Sequence, residues 1–159
     1  MKKSLILILI LACSSLAFAD YVPYKHGVDL NIGGPASSAS LEYQYNMVVM
    51  GLHTVGASAA IGIVEDGYAF PLGMQYRFGR IHQLELGAHL TPVFESDPFH
   101  FQAAISGRLG YRINIYRFYM HIALLPSFPE EHTRALLGCG FYFGPQVLDR
   151  KVDYYTPAR

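Results

Sequence analysis

Phe101-Gln102-Ala103-Ala104-Ile105-Ser106-Gly107-Arg108-Leu109-Gly110-Tyr111-Arg112-Ile113-Asn114-Ile115 alternates almost without interruption. Phe101, Ala103, Ile105, Leu109, Tyr111, Ile113 and Ile115 fall on one face, and Gln102, Ser106, Arg108, Arg112 and Asn114 on the other. A helix would bring Arg108 round to the face of Phe101, because seven residues nearly complete two turns; only a period of two keeps the sets apart. The stretch is a β-strand. It is longer than the roughly 5–6 residues of an ordinary soluble strand, and long enough for the roughly 9–11 tilted residues that cross a bilayer.

The same pattern recurs on both sides of it. Val28, Leu30 and Ile32 oppose Asp29 and Asn31; Leu41, Tyr43, Tyr45 and Met47 oppose Ser40, Glu42, Gln44 and Asn46. The alternation continues through Thr54–Ile63, Tyr68–Phe78 and Gln83–Thr91, and beyond the opening strand through Phe118–Leu124 and Leu137–Phe143. These segments predict eight strands. Turn residues mark most junctions, at Gly33-Gly34-Pro35, Glu65-Asp66-Gly67, Gly79-Arg80, Ser96-Asp97-Pro98 and Pro129-Glu130-Glu131. Met47 to Leu52 carries only Asn46 and Gly51 as a signal, and the Asn114–Arg117 turn follows from a change of phase.

The N-terminus reads as an export signal. Lys2 and Lys3 precede an apolar run from Leu5 to Leu11, too short for a membrane helix, and Ala17-Phe18-Ala19 forms an A-x-A cleavage site before Asp20. Lipoprotein processing at Cys13, after Ile10-Leu11-Ala12, is the rival reading. Cleavage after Ala19 leaves Cys139 as the one cysteine, which makes no internal disulfide. The expected organisation is a Sec-type signal peptide at 1–19, a lead at 20–27, one barrel domain at 28–144 and a polar tail at 145–159.

Composition agrees with a membrane barrel. The 159-residue chain is 52% hydrophobic and carries 12 basic and 12 acidic residues, a balance that implies no general attraction to nucleic acid. Lysine is absent between Lys25 and Lys151, although a water-facing sheet surface would be expected to carry several.

An even number of antiparallel strands can close without an exposed edge, as hydrocarbon requires. A membrane barrel turns its apolar face to lipid; a secreted, lipocalin-like barrel turns it inward around an apolar ligand. The polar faces mix small residues (Gly56, Ser58, Gly73, Gly87) with long ones, so they predict a filled interior containing Glu42, Arg77, Glu85, His89, Arg108, Arg112 and His121. Turning the arginines to lipid would cost about 2–4 kcal/mol each near the midplane. Aromatic residues such as Tyr43, Tyr45, Tyr68, Phe78, Phe94, Phe101, Tyr116 and Phe118 fall toward strand ends, where interfacial girdles form.

Over Val28 to Phe143 the chain resembles the eight-stranded outer-membrane β-barrel proteins, the group that includes the transmembrane domain of outer-membrane protein A. Gly138-Cys139-Gly140-Phe141-Tyr142-Phe143 looks like the last-strand signal read by the barrel-assembly machinery, with Gly138, Phe141 and Phe143 as its marked positions. The resemblance implies an all-β, up-and-down transmembrane barrel in the cell outer membrane of a Gram-negative envelope. Its partners would be membrane lipid and, during insertion, the assembly machinery; both termini, with the Arg80 and Arg117 turns, would face the periplasm. Glu65-Asp66, Glu95, Asp97 and Glu130-Glu131 would face outside.

Catalysis is not expected. A barrel resembling the lipid A deacylases needs Ser, His and an acid on its outer face, and a palmitoyltransferase-like one needs an apolar interior; neither set is present. Glu85 and His89, four residues apart on one strand face, could make a general-base pair but suit an interior polar network better. The seven histidines show no metal-ligand spacing, and no cofactor is expected. The expected function is a structural or surface role, porin-like at most as a narrow pore.

Overall fold

The computed structural model describes residues 24–34, 38–65, 67–96, 99–128 and 133–147. The expected signal peptide, Cys13, the far end of the polar tail and several loop residues, among them Pro35, Asp66 and Pro129-Glu130-Glu131, lie outside the described residues.

The fold is all-β and closed. Nine strands form one antiparallel sheet: β1 Tyr24–Gly33, β2 Ala39–Met50, β3 His53–Val64, β4 Gly67–Ala69, β5 Leu72–Gly79, β6 His82–Ser96, β7 Phe99–Ile115, β8 Phe118–Phe128 and β9 Thr133–Gln146. Apart from β4 and β5, which lie end to end, each strand pairs with its neighbours in sequence, and β1 pairs with β9 to complete the ring. The strands of the barrel run from Tyr24 to Gln146, and those two residues pair.

The ninth strand arises from an interruption. β4 and β5 both lie between β3 and β6, and their registers run through without a shift: Gly62 faces Ala69 and Ala59 faces Leu72. Proline has no N–H, so the ladder breaks at Pro71. Its carbonyl still accepts from Ala60 N at 2.8 Å, and Phe70 N donates to Pro92 O at 2.9 Å. β4 and β5 therefore share one stave of an eight-staved barrel, in line with the single alternating segment read over Tyr68–Phe78.

A second irregularity accounts for the weak signal near Met47. The β2–β3 register shifts between Asn46 and Val48, so Met47 and Val48 are both exposed and Val49 returns to the buried side. This is a β-bulge, which costs the sequence its alternation without ending the strand. The following turn is tight, with Gly51 at φ +57°. Tyr116, also left-handed at φ 59°, and Arg117 make the two-residue turn from β7 to β8. These turns and the Gly79–His82 connection lie at one end with Tyr24 and Gln146, the short-turn end of the barrel.

Burial follows the alternation. Leu109 is 55% exposed while Arg112 is fully buried. Leu30, Ile61, Leu86, Ile122 and Leu137 share the outward row; Asp29, Glu42, Gln75, Glu85 and Thr91 are buried. Gln102, on the polar row by sequence, is exposed near the strand end.

Candidate functional site: a buried charge network

Every second residue of a strand points to the same side, so closing the sheet brings polar rows from distant parts of the chain together. Three carboxylates, Asp29, Glu42 and Glu85, and three guanidinium groups, Arg77, Arg108 and Arg112, are all buried. Their formal charges cancel.

Glu85 is the centre. Its Oε2 accepts from Arg108 Nη2 at 3.0 Å and Nε at 3.2 Å, and its Oε1 lies 2.5 Å from Arg112 Nε. Arg108 Nη1 also reaches Glu42 Oε2 at 3.5 Å, from β7 to β2. Glu42 also accepts from Asn31 Nδ2 at 3.0 Å, Gln75 Nε2 at 2.8 Å and Gln44 Nε2 at 3.5 Å. Asp29 accepts from Gln44 and from the Tyr119 hydroxyl.

His121 lies between the two arginines. Its Nδ1 accepts from Arg108 Nη2 at 3.0 Å and Arg112 Nη2 at 3.1 Å, which leaves Nε2 to carry the ring proton and donate to Asn31 Oδ1 at 2.7 Å. Toward the short-turn end, Arg112 Nη1 donates to Gln44 Oε1 at 3.0 Å and Tyr142 Oη at 2.7 Å, with its guanidinium 4.1 Å from the Tyr119 ring centre. Arg77 donates to the same Tyr142 hydroxyl at 3.1 Å and to Asn46.

Glu42, Glu85, Arg108, Arg112 and His121 thus meet directly. Arg77 faces Glu85 across the β5–β6 ladder, yet its side chain turns to Asn46 and Tyr142. His89 is buried but makes no hydrogen bond to Glu85, and its Nδ1 has no partner among the described residues. The possible Glu85–His89 base pair is not formed: both Glu85 oxygens go to arginines. Above this layer a cavity of about 10 Å³ is bounded by Glu42, His89, Arg108 and Leu125, room for about one water molecule.

Asp29, Asn31, Gln44, Tyr119 and Tyr142 belong to the same network, although nothing in the sequence singles them out as site residues. All lie on the polar rows, so the signal is present there; their partners become visible only with register. Gly138 and Gly140 acquire a packing role. A Cβ at Gly138 would collide with Asn31 Oδ1 and His121 Nε2, and one at Gly140 with Asp29 and the Tyr119 ring. Phe141 and Phe143 are on the outward face, Phe141 against Phe118 with centroids 5.2 Å apart.

No family model, curated protein or solved structure matches the chain.

Proposed function

We propose that the chain is an integral outer-membrane β-barrel with a structural or surface role, non-catalytic, its lumen closed by the charge network. The observation that carries this reading is the inverted burial of one strand: Arg108 and Arg112 are enclosed while Leu109, between them, stands open with Ile105 and Ile115. Water would penalise such a surface across the whole barrel wall; hydrocarbon would not. A lipocalin-like binder needs the opposite arrangement, with the apolar rows lining a ligand cavity.

The network supports a plug more than a channel or an active site. Arg108 spans from Glu85 to Glu42, and Arg112 from Glu85 to Gln44 and Tyr142, so side chains from β2, β6, β7 and β9 meet across the lumen. Eight strands enclose space for little more than side chains. The resemblance to small outer-membrane barrels fits this reading and supplies the proposed export, periplasmic termini and assembly by the barrel machinery.

Fractionation and gel mobility test it together. The protein is expected to remain with outer membranes through carbonate washing and to migrate differently on gels before and after boiling in detergent. Recovery in the soluble periplasmic fraction without a heat-dependent shift would overturn the membrane reading and favour the soluble binder.

A further inference from the structure

Three of the seven histidines, which look scattered in sequence, occupy equivalent places in the barrel. His26 Nδ1 lies 2.5 Å from Tyr43 Oη, His53 Nδ1 2.5 Å from Tyr76 Oη, and His82 Nδ1 2.6 Å from Tyr111 Oη. The geometry repeats closely, with ring centroids 5.9, 5.9 and 6.0 Å apart and interplanar angles of 32°, 33° and 25°. In each pair the histidine begins or nearly begins its strand at the short-turn end. The tyrosine is two residues before the histidine's direct cross-strand partner, which is Tyr45, Phe78 or Ile113. Between β8 and β9 the diagonal is not repeated: Phe118 packs against its direct partner Phe141, and the residue two before that partner is Cys139.

Among the described residues, the charges at this end are of one sign. Lys25 Nζ stands 5.3 Å over the Tyr45 ring, Arg80 is exposed in the β5–β6 turn, and the Arg117 guanidinium lies 5.0 Å from the Tyr24 ring. Among the described residues, the only carboxylates outside the buried network are Glu65 and Glu95, both near the opposite end.

We propose that this rim binds the phosphate groups of anionic phospholipids, with the three His–Tyr pairs as hydrogen-bonding anchors and Lys25, Arg80 and Arg117 as the attracting charges. The inference rests on the membrane reading above and goes beyond it by naming the lipid class. A tyrosine hydroxyl that donates to Nδ1 leaves the ring proton on Nε2, so His26 and His53 each present a donor on an aromatic support, and the His82–Tyr111 pair repeats the polar, aromatic surface. Such amphipathic rings belong at the headgroup level, where one end of the side chain is apolar and the other wet. Lys25, Arg80 and Arg117 are complementary to phosphate, and each basic residue near an anionic surface adds about fivefold to the attraction.

The mature protein is reconstituted in phosphatidylcholine vesicles containing spin-labelled phosphatidylglycerol or spin-labelled phosphatidylcholine, and the relative association of each label with the barrel is read by electron spin resonance. We expect a preference of several-fold for phosphatidylglycerol. It should fall in R80Q/R117Q and, at unchanged rim charge, in Y43F/Y76F/Y111F, which retains every ring. H26F/H53F/H82F gives a second variant that keeps the aromatic surface. Heat-modifiable mobility checks that each variant is folded. Equal association of the two labels with the wild type, or a preference untouched in all three folded variants, would overturn the proposal while leaving the membrane reading intact. Failure of the wild type to enter vesicles would overturn both. Suppression of the preference by free inorganic phosphate at equal ionic strength would identify a site for the free ion and overturn the lipid assignment.

Discussion

Arg112 and Glu85 form a fully buried ion pair across neighbouring strands, with Nε 2.5 Å from Oε1. Removing one partner leaves the network, whose formal charges otherwise cancel, with an unbalanced charge where water cannot reach it. Glu85→Gln or Arg112→Met alone should lower folding stability by about 3–5 kcal/mol. The double variant should cost less than the two separately, by about 0.5–3 kcal/mol. Reversible urea unfolding in detergent micelles, followed by circular dichroism, provides the cycle; strict additivity would contradict a direct pair.

Gly138 and Cys139 are neighbours that face opposite ways. Gly138→Ala should destabilise the folded barrel by about 1–3 kcal/mol, because its new methyl group meets Asn31 and His121. Cys139→Ala, on the exposed side, should change stability by no more than about 0.5 kcal/mol. Refolding the purified protein into micelles without the assembly machinery isolates this packing effect. A Gly138→Ala barrel as stable as the wild type would leave the glycine to the assembly signal alone.

Leu109 gives a test of what lies outside the barrel. In lipid, Leu109→Arg should cost about 2–4 kcal/mol near the midplane. On a water-facing surface the same change should stay within about 0.5 kcal/mol. Unfolding the wild type and variant from the same phospholipid vesicles reads the difference directly.

The charge network carries a prediction for conductance. The wild-type barrel should show no steady ion current in a planar bilayer, because Arg108 and Arg112 reach across the lumen to Glu42 and Tyr142. E42A/R108A removes the longest of these bridges and should produce a small, measurable current if the variant retains heat-modifiable mobility. Steady conductance through the wild type would contradict a closed lumen.

Strand periodicity makes most of the fold legible in the sequence, because one repeat decides both secondary structure and which residues share a face. Arg108 and Arg112 separate from Leu109 and Tyr111 for that reason, and the barrel keeps them on opposite sides. Periodicity fails where the backbone itself departs from it. The bulge after Asn46 advances β2 by one residue, and Pro71 divides a stave that the side-chain pattern reads as continuous. The network is legible as a row and not as a set of partners. Arg77 and Glu85 face one another in register, yet Arg77 turns to Asn46 and Tyr142, a choice fixed by strands remote in sequence. The histidine–tyrosine pairs are hidden for a related reason: 17, 23 and 29 residues separate the partners, and only closure of the sheet shows that they repeat.

If the apolar rows face hydrocarbon, Cys139, exposed in the middle of β9, lies at hydrocarbon depth. A nitroxide is attached to Cys139 in protein expressed from Asp20 and reconstituted in phospholipid vesicles, and its collisions with molecular oxygen and with a water-soluble nickel chelate are compared. Oxygen should relax the label strongly and the nickel chelate hardly at all, as expected for a group at hydrocarbon depth. Free access of the nickel chelate in folded, vesicle-associated protein would place this row in water and contradict the membrane barrel.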